Sequence, residues 1–180
     1  MNIYEIIAVI FSFLSVILTV KESKWCWPVG IIGIIFYSTI FYQQNMMGNF
    51  WLQSIFLGQS LLGIWNWNKE SRLVYVKWFD DRTYLTALTG LFYLITVIIL
   101  ESNGGKMVYL DALTTILSVF AMFLIAYKVI EGWIYWIVAD IIYMWIFYSS
   151  ELYLSTLIYF IFLCSSTIGL IKWTKSTKTA

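Results

Sequence analysis

Residues 5–67 recur at 111–173 without a gap, at a constant offset of 106. Ser12 pairs with Ser118, Trp27 with Trp133, Tyr37 with Tyr143, Phe41 and Tyr42 with Phe147 and Tyr148, Gly63 with Gly169, and Trp67 with Trp173. Of the 63 paired positions 16 are identical, and many others exchange one apolar residue for another. Chance likeness between apolar helices does not hold one register across three of them. A duplicated unit of this length restricts the fold to two like bundles. In membrane chains internal repeats mark transporters, with the substrate held where the repeats meet.

The bilayer follows from composition. The chain is 61% hydrophobic and 12% charged, with mean hydropathy +0.81, whereas soluble domains carry about 25% charged residues. Seven apolar stretches run over 3–20, 25–43, 50–67, 83–100, 109–127, 132–149 and 153–171. Each matches the ~30 Å hydrocarbon core at ~1.5 Å per residue. They are apolar on successive residues and not on alternate ones, so the expected class is all-α integral membrane, not a barrel. The first stretch lacks a basic leading segment and a small-x-small cleavage pattern, and it is half of a repeat, so it reads as part of the mature fold.

The organisation expected is a first three-helix repeat over 1–67, a linker region with a fourth helix over 68–108, a second repeat over 109–173, and a polar tail over 174–180. An even number of crossings separates the repeats, which makes them parallel, related by an axis along the membrane normal. Lysine and arginine set the orientation. Lys106 alone lies on the side of the N-terminus, while Lys21, Lys24, Lys69, Arg72, Lys77, Arg82, Lys128, Lys172, Lys175 and Lys178 lie on the other. The positive-inside rule puts the N-terminus outside and the tail in the cytoplasm.

Several function classes drop out. There is no histidine, which removes the commonest acid–base group and metal ligand. Cys26 and Cys164 lie in different helices without CxxC spacing and read as small apolar residues. No phosphate-binding glycine loop and no intramembrane carboxylate pair is present. The chain therefore encodes no nucleotide-driven pump, and neither an enzyme nor a bound cofactor or metal is expected.

Asp140 demands an explanation. It stands eight residues into the sixth stretch, about 12 Å from the inner surface at helical rise. A carboxylate there costs about 2.5–3.5 kcal/mol on insertion scales. All eleven basic residues fall at or beyond helix ends, so a proton, hydrogen bonds or an outside cation must offset that cost. Trp133, Trp136, Asp140, Tyr143 and Phe147 share one helical face. Aromatic walls beside a carboxylate suit a flat cationic ring, each cation–π contact contributing ~0.5–2 kcal/mol. Trp133 taken alone fits an interfacial aromatic belt equally well.

The first repeat has Trp27, Gly30, Ile34, Tyr37 and Phe41 at these places, so the charge sits on one side only. Gly30 and Gly33 give a thin face for close helix packing or for a ligand. Asp111, the partner of Glu5, opens the fifth stretch ahead of Thr114, Thr115 and Ser118. Its role is either that of an N-terminal dipole partner or that of a ligand contact. Gln53, Gln59, Ser60 and Asn66 in the third stretch, and Tyr159, Ser165, Ser166 and Thr167 in the seventh, can join helices; Gln53 could also hold a sugar hydroxyl.

The segment WIYWIVAD, Trp133 to Asp140, resembles the WxxWxxx(N/D) signature of the PnuC-type vitamin transporters. DALTTILSVFAMFLIAYKVIEG (111–132), WPVGIIGIIFYSTIFY (27–42) and GIWNW (63–67) resemble the same family. The resemblance implies a bacterial inner-membrane protein that moves nicotinamide riboside by facilitated diffusion, the product being trapped inside by phosphorylation. It also implies a SWEET-like architecture and a homotrimer. The family's site maps onto Trp133, Trp136 and Asp140, and Asp111, Thr115, Gln53, Tyr37 and Tyr143 are added from their helical positions. Asp140 replaces the Asn common in nicotinamide riboside carriers, and relatives carry thiamine, riboflavin or deoxynucleosides. Nicotinamide riboside and thiamine both present a cationic aromatic ring, so thiamine is the alternative cargo.

The mechanism expected is alternating access, with the ligand beside Asp140 and the triplets rocking about it. An ion-coupled carrier with Asp140 titrating ranks lower, because a relay wants further deep carboxylates. A retinal protein would want a Lys midway along the last helix, and Lys172 lies at its end.

Overall fold

The structure, a computed structural model, describes residues 3–44, 46–69, 72–75, 79–102 and 108–178. Among them run seven helices: α1 (Ile3–Val20), α2 (Cys26–Gln43), α3 (Met47–Trp67), α4 (Phe79–Ser102), α5 (Val108–Ala126), α6 (Gly132–Ser149) and α7 (Tyr153–Lys178). Lys77 and Lys106, used above to orient the chain, lie outside the described residues.

Helices are what this composition dictates, since in lipid each peptide group must find its partner within its own segment. Pro28 falls in the first turn of α2, where its missing N–H had no helical partner to lose. Six of the helices are long and apolar enough to cross a membrane. The exception is α3, whose 21 residues reach far enough but include Asn49, Gln53, Gln59 and Asn66. Two of these amides have work to do: Gln59 and Asn66 donate to backbone carbonyls of α5.

The short turns recur at the repeat offset. Glu22 and Lys128, 106 residues apart, both adopt positive φ, 55° and 56°. Ser23 N donates to Leu18 O, and Val129 N to Leu124 O, both at 2.9 Å. These bonds satisfy the orphan carbonyls at the ends of α1 and α5, as a left-handed helix cap does. The α2–α3 and α6–α7 turns match likewise: Met46 N donates to Phe41 O at 2.8 Å and Leu152 N to Phe147 O at 2.9 Å.

The packing order is a ring. Helix α2 lies between α1 and α3, and α6 lies between α5 and α7; α3 packs on α5, and α7 on α1. Six helices thus enclose an interior, while α4 packs on α5 from outside. Gly30 and Gly33 make the α1–α2 contact close: a Cβ on either would stand 2.8 Å from Ser15 Oγ or Ser12 Oγ. Two stretches differ from expectation. Helix α7 continues through the segment read as a polar tail, to Lys178, and α4 begins at Phe79.

Candidate functional site

Helix α6 carries the charged residue, and α7 supports it. Asp140 is 2% exposed, and its Oδ2 accepts a hydrogen bond of 3.1 Å from Ser166 Oγ on α7. Among the described residues no Lys or Arg pairs with it; the ion pair found is Arg82 with Glu131, at the protein surface. A single neutral donor leaves much of the desolvation cost of an ionised carboxylate unmet. A proton, or a positive charge from outside the chain, would offset the remainder.

One helical turn on, Tyr143 meets Tyr159 of α7 with centroids 4.6 Å apart, and Phe147 stacks on Tyr159 at 5.2 Å. The Tyr143 hydroxyl interacts with Thr114 and Ser118 of α5. Tyr37 of α2 lies on the same side, its ring stacked on Phe41 at 5.8 Å. Helices α2, α5, α6 and α7 thus contribute to one aromatic and hydroxyl-bearing region around the carboxylate.

Tryptophan lies on the other side of Asp140. Trp133 is 2% exposed and sits edge-on to Trp173 at 5.3 Å. Trp173 meets Trp67 at 6.0 Å, and Trp67 meets Trp27 at 5.6 Å. Trp136 is half-buried against this cluster. The indole Nε1 atoms of Trp27, Trp133 and Trp173 are buried without partners, whereas that of Trp67 donates to Ile125 O. The face shared by Trp133 and Asp140 is real, but its tryptophan end is packed against α7.

The remaining expected residues are more dispersed. Asp111 is exposed at the start of α5, close enough to Tyr143 to act on it electrostatically. Thr115 and Gln53 are half-buried on α5 and α3. Thr114 returns its hydroxyl to Leu110 O and Asp111 O, as a buried helical threonine commonly does. Ser166 and Tyr159 appear in the sequence only as generic polar residues of α7, and their place beside Asp140 needed the α6–α7 packing. An apolar cleft of about 370 Å³ lies elsewhere, between α4, α5 and α6, lined by Thr86, Gly90, Tyr93, Leu117 and Val138. It holds no charged group.

Residues 2–175 match the family model described as "Nicotinamide mononucleotide transporter". The chain is 28% identical to the nicotinamide riboside transporter PnuC of Haemophilus influenzae, over 96% of this chain and 80% of that protein. With PnuC of Neisseria mucosa the identity is 26%, over 96% of this chain and 72% of the relative. A crystal structure of the vitamin B3 transporter PnuC superposes with a TM-score of 0.82 at 20% identity, covering 98% of this chain and 82% of that one.

Proposed function

We propose, from the premise that this chain belongs to the nicotinamide mononucleotide transporter family, that it carries nicotinamide riboside across the bacterial inner membrane by facilitated diffusion. One observation carries the reading: a carboxylate buried in the membrane-spanning bundle, bonded to a serine and, among the described residues, to no cation, beside tyrosine and tryptophan rings. A nicotinamide ring bearing a fixed positive charge complements that arrangement in both charge and shape.

In this reading Asp140 is the counter-ion and Ser166 orients it. Trp136 and Tyr143 wall the ring, and Trp133 forms the floor beneath. Tyr37, Gln53, Thr115 and Asp111 face the ligand from α2, α3 and α5. The two three-helix units, 1–67 and 109–173, rock against each other as parallel repeats, with the fourth helix as linker. The recurrence of turns and helix contacts at an offset of 106 supports this. The N-terminus faces outside and the basic end the cytoplasm, where phosphorylation traps the product. No chemistry occurs on the protein, and flux follows the gradient. The protein works as a homotrimer.

Thermal-shift measurements on the purified protein test the cargo, because a ligand that binds only the folded state raises its apparent stability by mass action. Nicotinamide riboside raises the midpoint, and riboflavin and uncharged deoxynucleosides do not. A larger shift with thiamine reassigns the cargo to that cation. No shift with either cation defeats the reading.

A further inference from the structure

The ring of helices closes through two seams, α3 on α5 and α7 on α1, in equivalent places of the two halves. They are held differently. Across the α3–α5 seam three side chains donate to carbonyls of the facing helix: Gln59 Nε2 to Val119 O at 3.0 Å, Asn66 Nδ2 to Ala126 O at 2.9 Å, and Trp67 Nε1 to Ile125 O at 3.1 Å. The segment after α3 adds a strap over the α5–α6 turn. Val74 N donates to Lys128 O at 3.1 Å, and Val74 O accepts from Ile130 N at 3.0 Å. The positions on α7 equivalent to the three donors are Ser165, Lys172 and Trp173. Ser165 returns its hydroxyl to Ile161 O of its own helix, Lys172 is exposed, and Trp173 Nε1 is buried without a partner. Apolar contact such as Phe13 against Phe162, at 6.4 Å, spans this second seam.

The interior at the basic end is closed by aromatic rings. No Cα of α3 lies within 8 Å of a Cα of α7, yet the rings of Trp67 and Trp173 meet at 6.0 Å. They therefore bridge the interior. Each is backed by a T-shaped neighbour from its own half, Trp27 or Trp133. Asp140 lies seven residues beyond Trp133 on α6, about 10 Å along the helix axis. A route from Asp140 to the basic end between the two halves would pass Trp67 and Trp173.

We propose, on the transport reading above, that Trp67 and Trp173 form the gate at the basic end, and that it opens along the α7–α1 seam while the α3–α5 seam serves as hinge. Trp67 is tied to α5 and stays. Trp173 moves with α7.

Repeat-equivalent cross-links test this in a Cys26→Ala/Cys164→Ala background. Lys21→Cys with Thr174→Cys spans the proposed opening seam, and Tyr127→Cys with Asn68→Cys spans the proposed hinge. The same short bifunctional thiol reagent is applied to both, and uptake of labelled nicotinamide riboside into proteoliposomes is measured. Linking 21 to 174 lowers uptake about tenfold or more, whereas linking 127 to 68 leaves it within about twofold. Equal loss at both seams, or free uptake with 21 linked to 174, overturns the assignment. Spin labels at the same four positions in lipid nanodiscs give a readout that needs no cargo. Two distances across 21–174 and one narrow distance across 127–68 support the hinge, and a single distance at both overturns it. Absent nicotinamide riboside uptake in the unlinked variants, with that distance pattern intact, sinks the cargo reading and leaves the gate standing.

Discussion

Replacing Gly169 by alanine isolates the packing on which the tryptophan cluster depends. A Cβ at that position would stand 2.7 Å from Cε2 and Cζ2 of Trp133 and 2.8 Å from its Cδ2. Carbon atoms rest at about 3.5–4.0 Å, so the indole must retreat by roughly 0.8 Å or more. It has little freedom to do so, being 2% exposed and held edge-on by Trp173. Overpacking of this kind costs about 1–3 kcal/mol. Gly58→Ala is the matched control: it is also a helical glycine, but nothing lies within 4 Å of its added Cβ. Alanine there gains about 0.5–1 kcal/mol of helix propensity. Gly169→Ala gains the same propensity, so the two variants should differ by the overpacking alone, about 1–3 kcal/mol. Thermal unfolding in one detergent, followed by tryptophan fluorescence, reads the difference as a lower midpoint for Gly169→Ala. If Gly169→Ala melts at or above Gly58→Ala, the close fit of α7 on Trp133 is wrong.

Glu22→Gly relieves a left-handed residue (φ 55°) and should raise stability by about 0.5–1 kcal/mol, seen as a higher midpoint in the same melt. Arg82→Ala removes an ion pair of 3.3 Å whose arginine is 62% exposed, and the midpoint should stay where it is, because exposed pairs of this kind contribute little. Ser166→Ala takes away the hydroxyl bonded to Asp140. The half-saturating concentration of nicotinamide riboside in proteoliposome uptake should rise, though by less than the effect of losing the carboxylate itself.

The seven helices were legible because hydropathy reports the bilayer. Residues 3–20 and 132–149 coincide with α1 and α6 to the residue. The ends of α4 and α7 were not legible for the same reason: Asp80, Asp81 and Arg82, or Thr174 to Lys178, are too polar for lipid yet continue a helix into water. Asp140 stood out as a lone charge between basic helix ends. What opposes a helical face is a different matter. Periodicity placed Trp133 and Asp140 together but could not say that α7 would set Trp173 and Gly169 against the first and Ser166 against the second. Helix α3 read as a span with scattered amides, and the bonds of Gln59 and Asn66 to α5 appear only once the ring closes.

The most direct test of the central claim is uptake of labelled nicotinamide riboside by Asp140→Ala in proteoliposomes, at matched protein insertion. With the buried counter-ion gone, uptake should fall about tenfold or more, in line with the 2–5 kcal/mol that losing one partner of a buried charge pair costs. Uptake equal to that of the unaltered protein would mean that the carboxylate is not where the cation binds.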